Sequence, residues 1–186
     1  MGRKPGPGRE RMLASAITLL REQGVSGTSI DAVLAHSGTS RGSVYHYFPG
    51  GRTELLLDAA RAAAAEIEAM IGDADPRSAL IAFTEEWKRA LVDSGFRGGC
   101  PIVALTVDEV PGSPELVREI FAAWQTKVAA VLTAAGAPPA RTRSLATLAV
   151  AAIEGAVVLC RATASTERVG DVLAELLALL DGVSEP

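Results

Sequence analysis

The residues best suited to chemistry are concentrated in one short stretch, TSRGSVYHYF, at Thr39–Phe48. It contains both tyrosines of the chain, one of its two histidines, and Arg41. Arginine, hydroxyl and imidazole groups are hydrogen-bond donors that can reach phosphate oxygens or base edges in a nucleic-acid groove. Because an ordinary solvated helix would carry Glu, Lys and Gln instead, the stretch predicts a DNA-contacting surface rather than a solvated face.

Two predicted helices precede this stretch and must position it. The first covers RERMLASAITLLREQG, where apolar residues recur at helical spacing until Gly24 provides a left-handed end. The second covers GTSIDAVLAHSG. It opens with a capping-box pattern at Thr28 and Asp31, and Gly38 can end it after only two turns.

The predicted third helix carries the stretch itself. Thr39 or Ser40 can cap its start, and Pro49 marks its end. Val44 and Phe48 are four residues apart and share one face, which we expect to point inward. Two short helices joined by a glycine-containing turn, after a longer helix, are typical of a helix-turn-helix. The third helix is therefore the predicted recognition helix.

The charge of the chain is unevenly distributed. The net charge is −4 over 186 residues. Residues 1–52 contain seven Lys or Arg and three Asp or Glu, whereas residues 53–186 contain eleven and nineteen. This asymmetry predicts a small anion-facing module joined to a larger acidic body.

The stretch GVSGTSIDAVLAHSGTSRGSVYHYFPGGRTELL, at Gly24–Leu56, resembles the DNA-binding signature of the TetR family of transcriptional regulators. The resemblance implies that three helices form a DNA-binding domain and that a fourth links it to a larger helical domain. It also implies a dimeric repressor that binds a palindromic operator and is released by a small ligand, which we expect to be apolar.

The resemblance also implies roles for individual residues. The family touches phosphates at the positions of Thr28, Ser29 and Tyr47. Arg52 takes a further phosphate role, although the family often has a lysine nearer to the YHYFP segment. The positions at which the family meets bases or adjacent backbone are Arg41, Gly42, Ser43, Tyr45 and His46.

The loop GGCPIVAL, together with YHYFPGGR, is more similar to the branch of LmrA and YxaF repressors than to the family at large. The expected fold is all-α with about nine helices. A helix-turn-helix DNA-binding domain is expected at residues 1–52, and a helical effector-binding and dimerisation domain at residues 53–186. The last two helices carry small residues beside branched ones, and in a homodimer they would form a four-helix bundle.

Candidate ligand contacts in the body are less distinctive. Four large aromatic residues could line a cavity or could be ordinary core. Glu154, inside an apolar run, needs a partner, a water cavity or a ligand, because burying an unpaired carboxylate is costly. The candidate ligand-contacting residues are Phe83, Trp87, Cys100, Leu105, Phe121, Trp124 and Glu154.

Other function classes receive little support. Cys100 and Cys160, with only His36 and His46, form no zinc-ligand spacing, so neither a metal nor a cofactor is expected. Both histidines fall in the DNA-binding stretch and no catalytic spacing follows, so an enzyme is not expected. Two alternatives stay open: a DNA-binding dimer without an effector, and a redox-responsive regulator that uses Cys100.

The longest apolar run, at Leu145–Cys160, has sixteen residues and includes Glu154. A membrane span needs about 18 residues, so we expect a buried helix and no membrane partner. The first residues have no apolar core of the kind that a secretory signal carries, and we expect a cytoplasmic protein.

Overall fold

The computed structural model describes residues 6–71, 75–108 and 110–184, and this part of the chain contains nine α-helices and no strand. The all-α prediction is confirmed. The helices are α1 Pro7–Gly27, α2 Ile30–Ser37, α3 Arg41–Tyr47, α4 Gly51–Met70, α5 Pro76–Asp93, α6 Pro101–Val107, α7 Ser113–Ala134, α8 Pro139–Thr163 and α9 Glu167–Ser184.

The chain divides into two compact units. The N-terminal unit comprises the described residues up to Ala65 together with Cys100–Val117. The C-terminal unit comprises the described residues from Glu66 to Gly99 and those from Arg118 onward. The division of function at residue 52 stays a prediction.

The core of the N-terminal unit forms where the apolar faces of α1, α2, α3, α4 and α6 meet. Each helix contributes residues at helical spacing, and each such residue stabilises the fold by about 1.5–3 kcal/mol when fully buried. The largest fully buried side chains of this core are Phe48, Met12, Leu20, Leu55, Leu56, Ile102, Val33 and Val44.

The turn between α1 and α2 differs from the predicted capping box. Gly24 has a positive φ of 69°, as predicted, but it kinks α1 rather than ending it, because the helix continues to Gly27. The N-cap of α2 is Ser29, whose Oγ accepts a hydrogen bond from the Ala32 amide at 3.1 Å. Thr28 instead donates its hydroxyl back to the Gly24 carbonyl at 2.8 Å. The prediction was therefore wrong by one residue, because Thr28 closes the preceding turn.

The C-terminal unit is a bundle in which α5, α8 and α9 pack against one another. The predicted start of α5 is confirmed: the Asp75 carboxylate accepts hydrogen bonds from the Ser78 amide and hydroxyl, each at 2.9 Å. The hydrogen bond from the Ser78 amide is the main reason why the pKa of Asp75 is lowered. Thr84 is fully buried in α5, and its hydroxyl donates to the Leu80 carbonyl at 3.0 Å.

Helix α8 is apolar over its whole length but is only partly covered. By length and composition it could cross a membrane, a test that core helices of soluble proteins also pass, so the finding is weak evidence. Within one chain, 33% of its most apolar stretch is buried. The buried residues include Ile153 and Val157, whereas Leu148, Val158 and Leu159 are about half exposed. The prediction of a buried helix therefore holds for only one side of α8.

Candidate DNA-binding surface

The turn between α2 and α3 is built by short polar residues. Gly38 ends α2 with φ 64°, and its amide donates to the Leu34 carbonyl at 3.0 Å. The hydroxyls of Ser37 and Thr39 lie 2.6 Å apart across the turn. Ser40 is the N-cap of α3, although its side chain caps no amide. The helix-turn-helix geometry expected from the sequence is thus present at α2 and α3.

The inward face of α3 is the predicted one. Val44 and Phe48 are fully buried. The Arg9 guanidinium of α1 lies 5.2 Å from the centroid of the Phe48 ring, within the range of a cation–π contact. Arg9 also donates to the Asp58 carboxylate of α4 at 2.6 Å. These contacts join α1 and α4 to the end of α3.

The opposite face of α3 is exposed. Arg41, Gly42, Tyr45 and His46 are exposed, and Ser43 is partly exposed. Apart from the two chain neighbours and the nearby backbone of α3, no described atom lies within 4 Å of the position that a Cβ of Gly42 would occupy, so the backbone there is open to a large ligand. The structure therefore brings the predicted base-reading residues together on one surface. Their contacts with bases stay a prediction.

Arg41 already has a partner within the unit. Its guanidinium forms an ion pair with the carboxylate of Asp31 on α2, and the two side chains are 64% and 72% exposed. An ion pair this exposed contributes about 0–1 kcal/mol, so an incoming phosphate or base can replace Asp31 at low cost. The Asp31 contact was not expected from the sequence.

Tyr47 lies at the edge of the exposed face and is partly buried. Its ring packs at 4.9 Å, edge to face, with His46. A Cβ at Gly6 or Gly8 would lie 3.1 Å from Tyr47 atoms, so the start of α1 packs closely against this ring. The two glycines were the only sequence signal of that contact. The phosphate role of Tyr47 stays a prediction.

Arg52 and Thr28 hold the backbone around the helix-turn-helix. Arg52 Nε donates to the Thr28 carbonyl at 2.9 Å, and Arg52 Nη2 donates to the Val25 carbonyl. These bonds tie the first turn of α4 to the turn between α1 and α2. Thr28 is 1% exposed, whereas Ser29 is exposed. The phosphate contacts expected of all three residues stay predictions.

A second link within the N-terminal unit involves His36. Its Nδ1 lies 2.9 Å from the Ser15 hydroxyl, which joins α2 to α1. Sequence reasoning assigned no role to Ser15. A serine among the apolar residues of an amphipathic helix is the signal that could have suggested a buried polar contact.

The C-terminal unit contains a cavity of about 140 Å³. Its walls come from the end of α4 and from α5, α7, α8 and α9. Three predicted ligand contacts, Phe83, Trp124 and Glu154, line it. The remaining four are not among its described lining residues.

Those four predicted ligand contacts occupy other places. Trp87 is buried, and Phe121 packs edge to face on Trp124 with ring centroids 5.4 Å apart. Cys100 and Leu105 are buried and belong to the N-terminal unit. Both cysteines are buried thiols outside any disulfide, which does not favour redox sensing, because sensor thiols are generally accessible. Ligand roles for these residues stay predictions.

Comparison with known proteins assigns the chain to a family. Residues 12–59 match the family model described as bacterial regulatory proteins, tetR family. Residues 76–175 match the model described as transcriptional regulator LmrA/YxaF-like, C-terminal domain. The chain belongs to the TetR family. The expected LmrA/YxaF-like branch is confirmed by the second match.

Relatives of this TetR-family chain are bacterial regulators. It is 42% identical over 165 residues to an uncharacterized HTH-type transcriptional regulator of Mycobacterium tuberculosis, covering 84% of each chain. It is 28% identical over 162 residues to the HTH-type transcriptional regulator LmrA of Bacillus subtilis, covering 83% of this chain and 86% of LmrA.

The fold of this TetR-family chain also matches solved structures. The regulatory protein TetR from Rhodobacter sphaeroides superposes with a TM-score of 0.81 at 20% identity, covering 92% of this chain and 97% of the other. At that identity the likeness shows the fold alone. Together with the family matches, it identifies a TetR-family transcriptional regulator with a helix-turn-helix DNA-binding domain.

Proposed function

We propose that this TetR-family regulator is a cytoplasmic homodimeric repressor that binds a palindromic operator and is released by a small, mainly apolar ligand. Residues 1–52 bind DNA, and residues 53–186 bind the effector and form the dimer. The observation that carries the proposal is the exposed polar face of α3, which rests on the fully buried Val44 and Phe48.

Each DNA contact has a physical basis in this arrangement. Arg41 stands at the start of α3, where its fork of donors can leave Asp31 for a guanine edge. Gly42 allows close approach of the backbone, and Tyr45 and His46 extend the same exposed surface. Ser29 and Tyr47 flank it and can donate to phosphates, while Arg52 and Thr28 fix the supporting turn.

The uncovered side of α8 supports a homodimer. Leu148, Val158 and Leu159 are exposed, and small residues such as Ala151 and Gly155 lie between them. Small residues allow two helices to approach closely, and a second copy of the same face is self-complementary about a two-fold axis. Two copies would place two α3 helices in major grooves separated by one helical turn, about 34–36 Å, or a multiple of it.

Helix α4 allows a ligand in the cavity to act on the DNA-binding residues, because the same helix contributes to both. It is one helix from Gly51 to Met70, with Arg52 in its first turn and Ile67 and Met70 on the cavity wall. A ligand changes operator affinity only by its differential affinity for two conformations. A ligand that fits one position of α4 better than another therefore changes how Arg52 holds the helix-turn-helix.

The proposal is tested by selecting duplexes from a random pool with the purified chain and measuring affinity at two salt concentrations. We expect an enriched palindrome, a mass in solution of twice 19.2 kDa, and affinity that falls steeply with salt. A monomer whose binding has neither sequence preference nor salt dependence would contradict the proposal.

A further inference from the structure

The described walls of the C-terminal cavity are almost entirely apolar. Among the described residues that line it, Glu154 of α8 has the one ionisable side chain, an acceptor when ionised. Trp124, whose indole N–H is a donor, is the one other described lining residue with a polar side-chain group. The rest are apolar, such as Phe83, Val150 and Leu176. A ligand inside therefore meets hydrocarbon nearly everywhere and a carboxylate at one place.

The size of the cavity limits its occupant. Its volume of about 140 Å³ is close to that of cavities of about 150 Å³ that bind benzene. Sites for drug-sized molecules are larger, at about 300–1,000 Å³. The volume suits one aromatic ring with a short alkyl chain, because the cavity is not fully enclosed.

We infer that the effector is a compact lipophilic amine whose protonated nitrogen donates to the Glu154 carboxylate. The inference rests on the proposed function in taking this cavity as the effector site. The hydrocarbon part of the ligand fills the apolar walls, and its single cationic group faces the single anionic one.

The chemistry of a carboxylate favours an amine over other head groups. An ionised carboxylate only accepts hydrogen bonds, and bonds between ionised partners are roughly twice as strong as neutral ones. A carboxylate has about four lone-pair sites, so Glu154 can keep contacts within the protein and still accept from a ligand. An anionic ligand would bring a second negative charge beside this carboxylate, and the described lining residues include no cation with which it could pair.

Three ligands with the same ring and chain test the inference: 3-phenylpropylamine, 3-phenylpropan-1-ol and 3-phenylpropionate. Their affinities for the full chain, free of DNA, are measured by isothermal titration calorimetry. We expect the amine to bind at least about tenfold more tightly than the alcohol, and the carboxylate to bind most weakly. Equal affinity of amine and alcohol, or no binding by any of the three, would overturn the inference without any variant being made.

Glu154→Gln then isolates the charge, because glutamine keeps the shape and a carbonyl acceptor. We expect the amine to lose about tenfold in affinity while the alcohol changes by less than about twofold. Glu175→Gln is the matched control, since Glu175 is an exposed carboxylate of α9 outside the cavity lining. An amine preference that survives in Glu154→Gln would overturn the role of Glu154.

A separate measurement distinguishes this inference from the proposed function. The selected operator duplex is titrated with the wild-type chain, with and without 3-phenylpropylamine. We expect the amine to weaken operator binding in the wild type and to do so much less in Glu154→Gln. If the protein binds the amine but selects no operator, the proposed repressor function is wrong and the inferred ligand class stands. If the protein binds an operator but does not prefer the amine, only the inferred ligand class is wrong.

Discussion

The exposed face of α3 and the cavity of the C-terminal unit present their chemistry in opposite ways. On α3, polar groups such as Arg41 and His46 stand above a sealed base formed by Val44 and Phe48. In the cavity, apolar walls surround one carboxylate, that of Glu154. A polar surface can therefore be recognised in a sequence by its residue types, whereas a cavity wall has the composition of an ordinary core.

The largest predicted loss of stability follows from truncating Phe48 in the closed core, compared with truncating Phe83 in the cavity wall. Phe48→Ala should lower the free energy of unfolding by about 3–5 kcal/mol, because it opens a void in a closed core. Phe83→Ala, which removes a ring already facing the cavity, should cost less than half as much. Urea unfolding followed by circular dichroism measures both. Equal losses would contradict the contrast between a sealed and a hollow region.

The next effect concerns base reading by α3. Arg41→Ala should weaken binding to the selected operator by about 1–3 kcal/mol and bring it nearer to the affinity for scrambled DNA. Fluorescence anisotropy with both duplexes provides the measurement. Arg141→Ala is the control, because it removes the same charge from the exposed start of α8. If both variants lose affinity equally on both duplexes, Arg41 reads no base.

A smaller effect distinguishes the two serine caps of the helix-turn-helix. Ser29→Ala should lower the free energy of unfolding by about 1 kcal/mol, because the Ala32 amide loses its acceptor. Ser40→Ala should change it by no more than about 0.5 kcal/mol, since the Ser40 hydroxyl contacts Ser43 and caps no amide. Thermal unfolding of the two variants compares them. A larger loss in Ser40→Ala would show that the caps have been assigned the wrong way round.

The smallest effect is a pH dependence in the C-terminal unit. In the folded protein the pKa of Asp75 lies below its ordinary value of 3.8, chiefly because the carboxylate accepts a hydrogen bond from the Ser78 amide. The stabilisation is therefore present above pH 3.8 and is lost as pH falls through the lowered value. Asp75→Ala should melt below the wild type at pH 7, and the difference should shrink in acid. A difference that grows on acidification would contradict this sign.

The local rules of helix ends predicted much of the N-terminal fold. Gly38 ends α2 in a left-handed conformation, as predicted. Of the two predicted caps of α3, Thr39 and Ser40, the structure has Ser40. The cap of α2 fell on Ser29 rather than Thr28 because both hydroxyls could serve locally. The turn decided between them, since Thr28 donates back to Gly24.

Long-range contacts were beyond the reach of sequence spacing. Arg52 was expected to meet phosphate, yet its guanidinium reaches carbonyls more than twenty residues away. The same limit applies to the cavity: Phe83 and Trp87 are four residues apart on α5, but only Phe83 is a described lining residue. Helical spacing gives the face of a helix and not the point along it where a neighbouring helix leaves a void.

In the proposed function, two copies of the α3 surface bind one palindromic duplex. Hydroxyl-radical footprinting of the wild-type chain on its selected operator tests it most directly. We expect two protected segments related by the two-fold axis of the DNA and separated by one helical turn or a multiple of it. A single protected segment, or uniform protection that is the same on scrambled DNA, would contradict it.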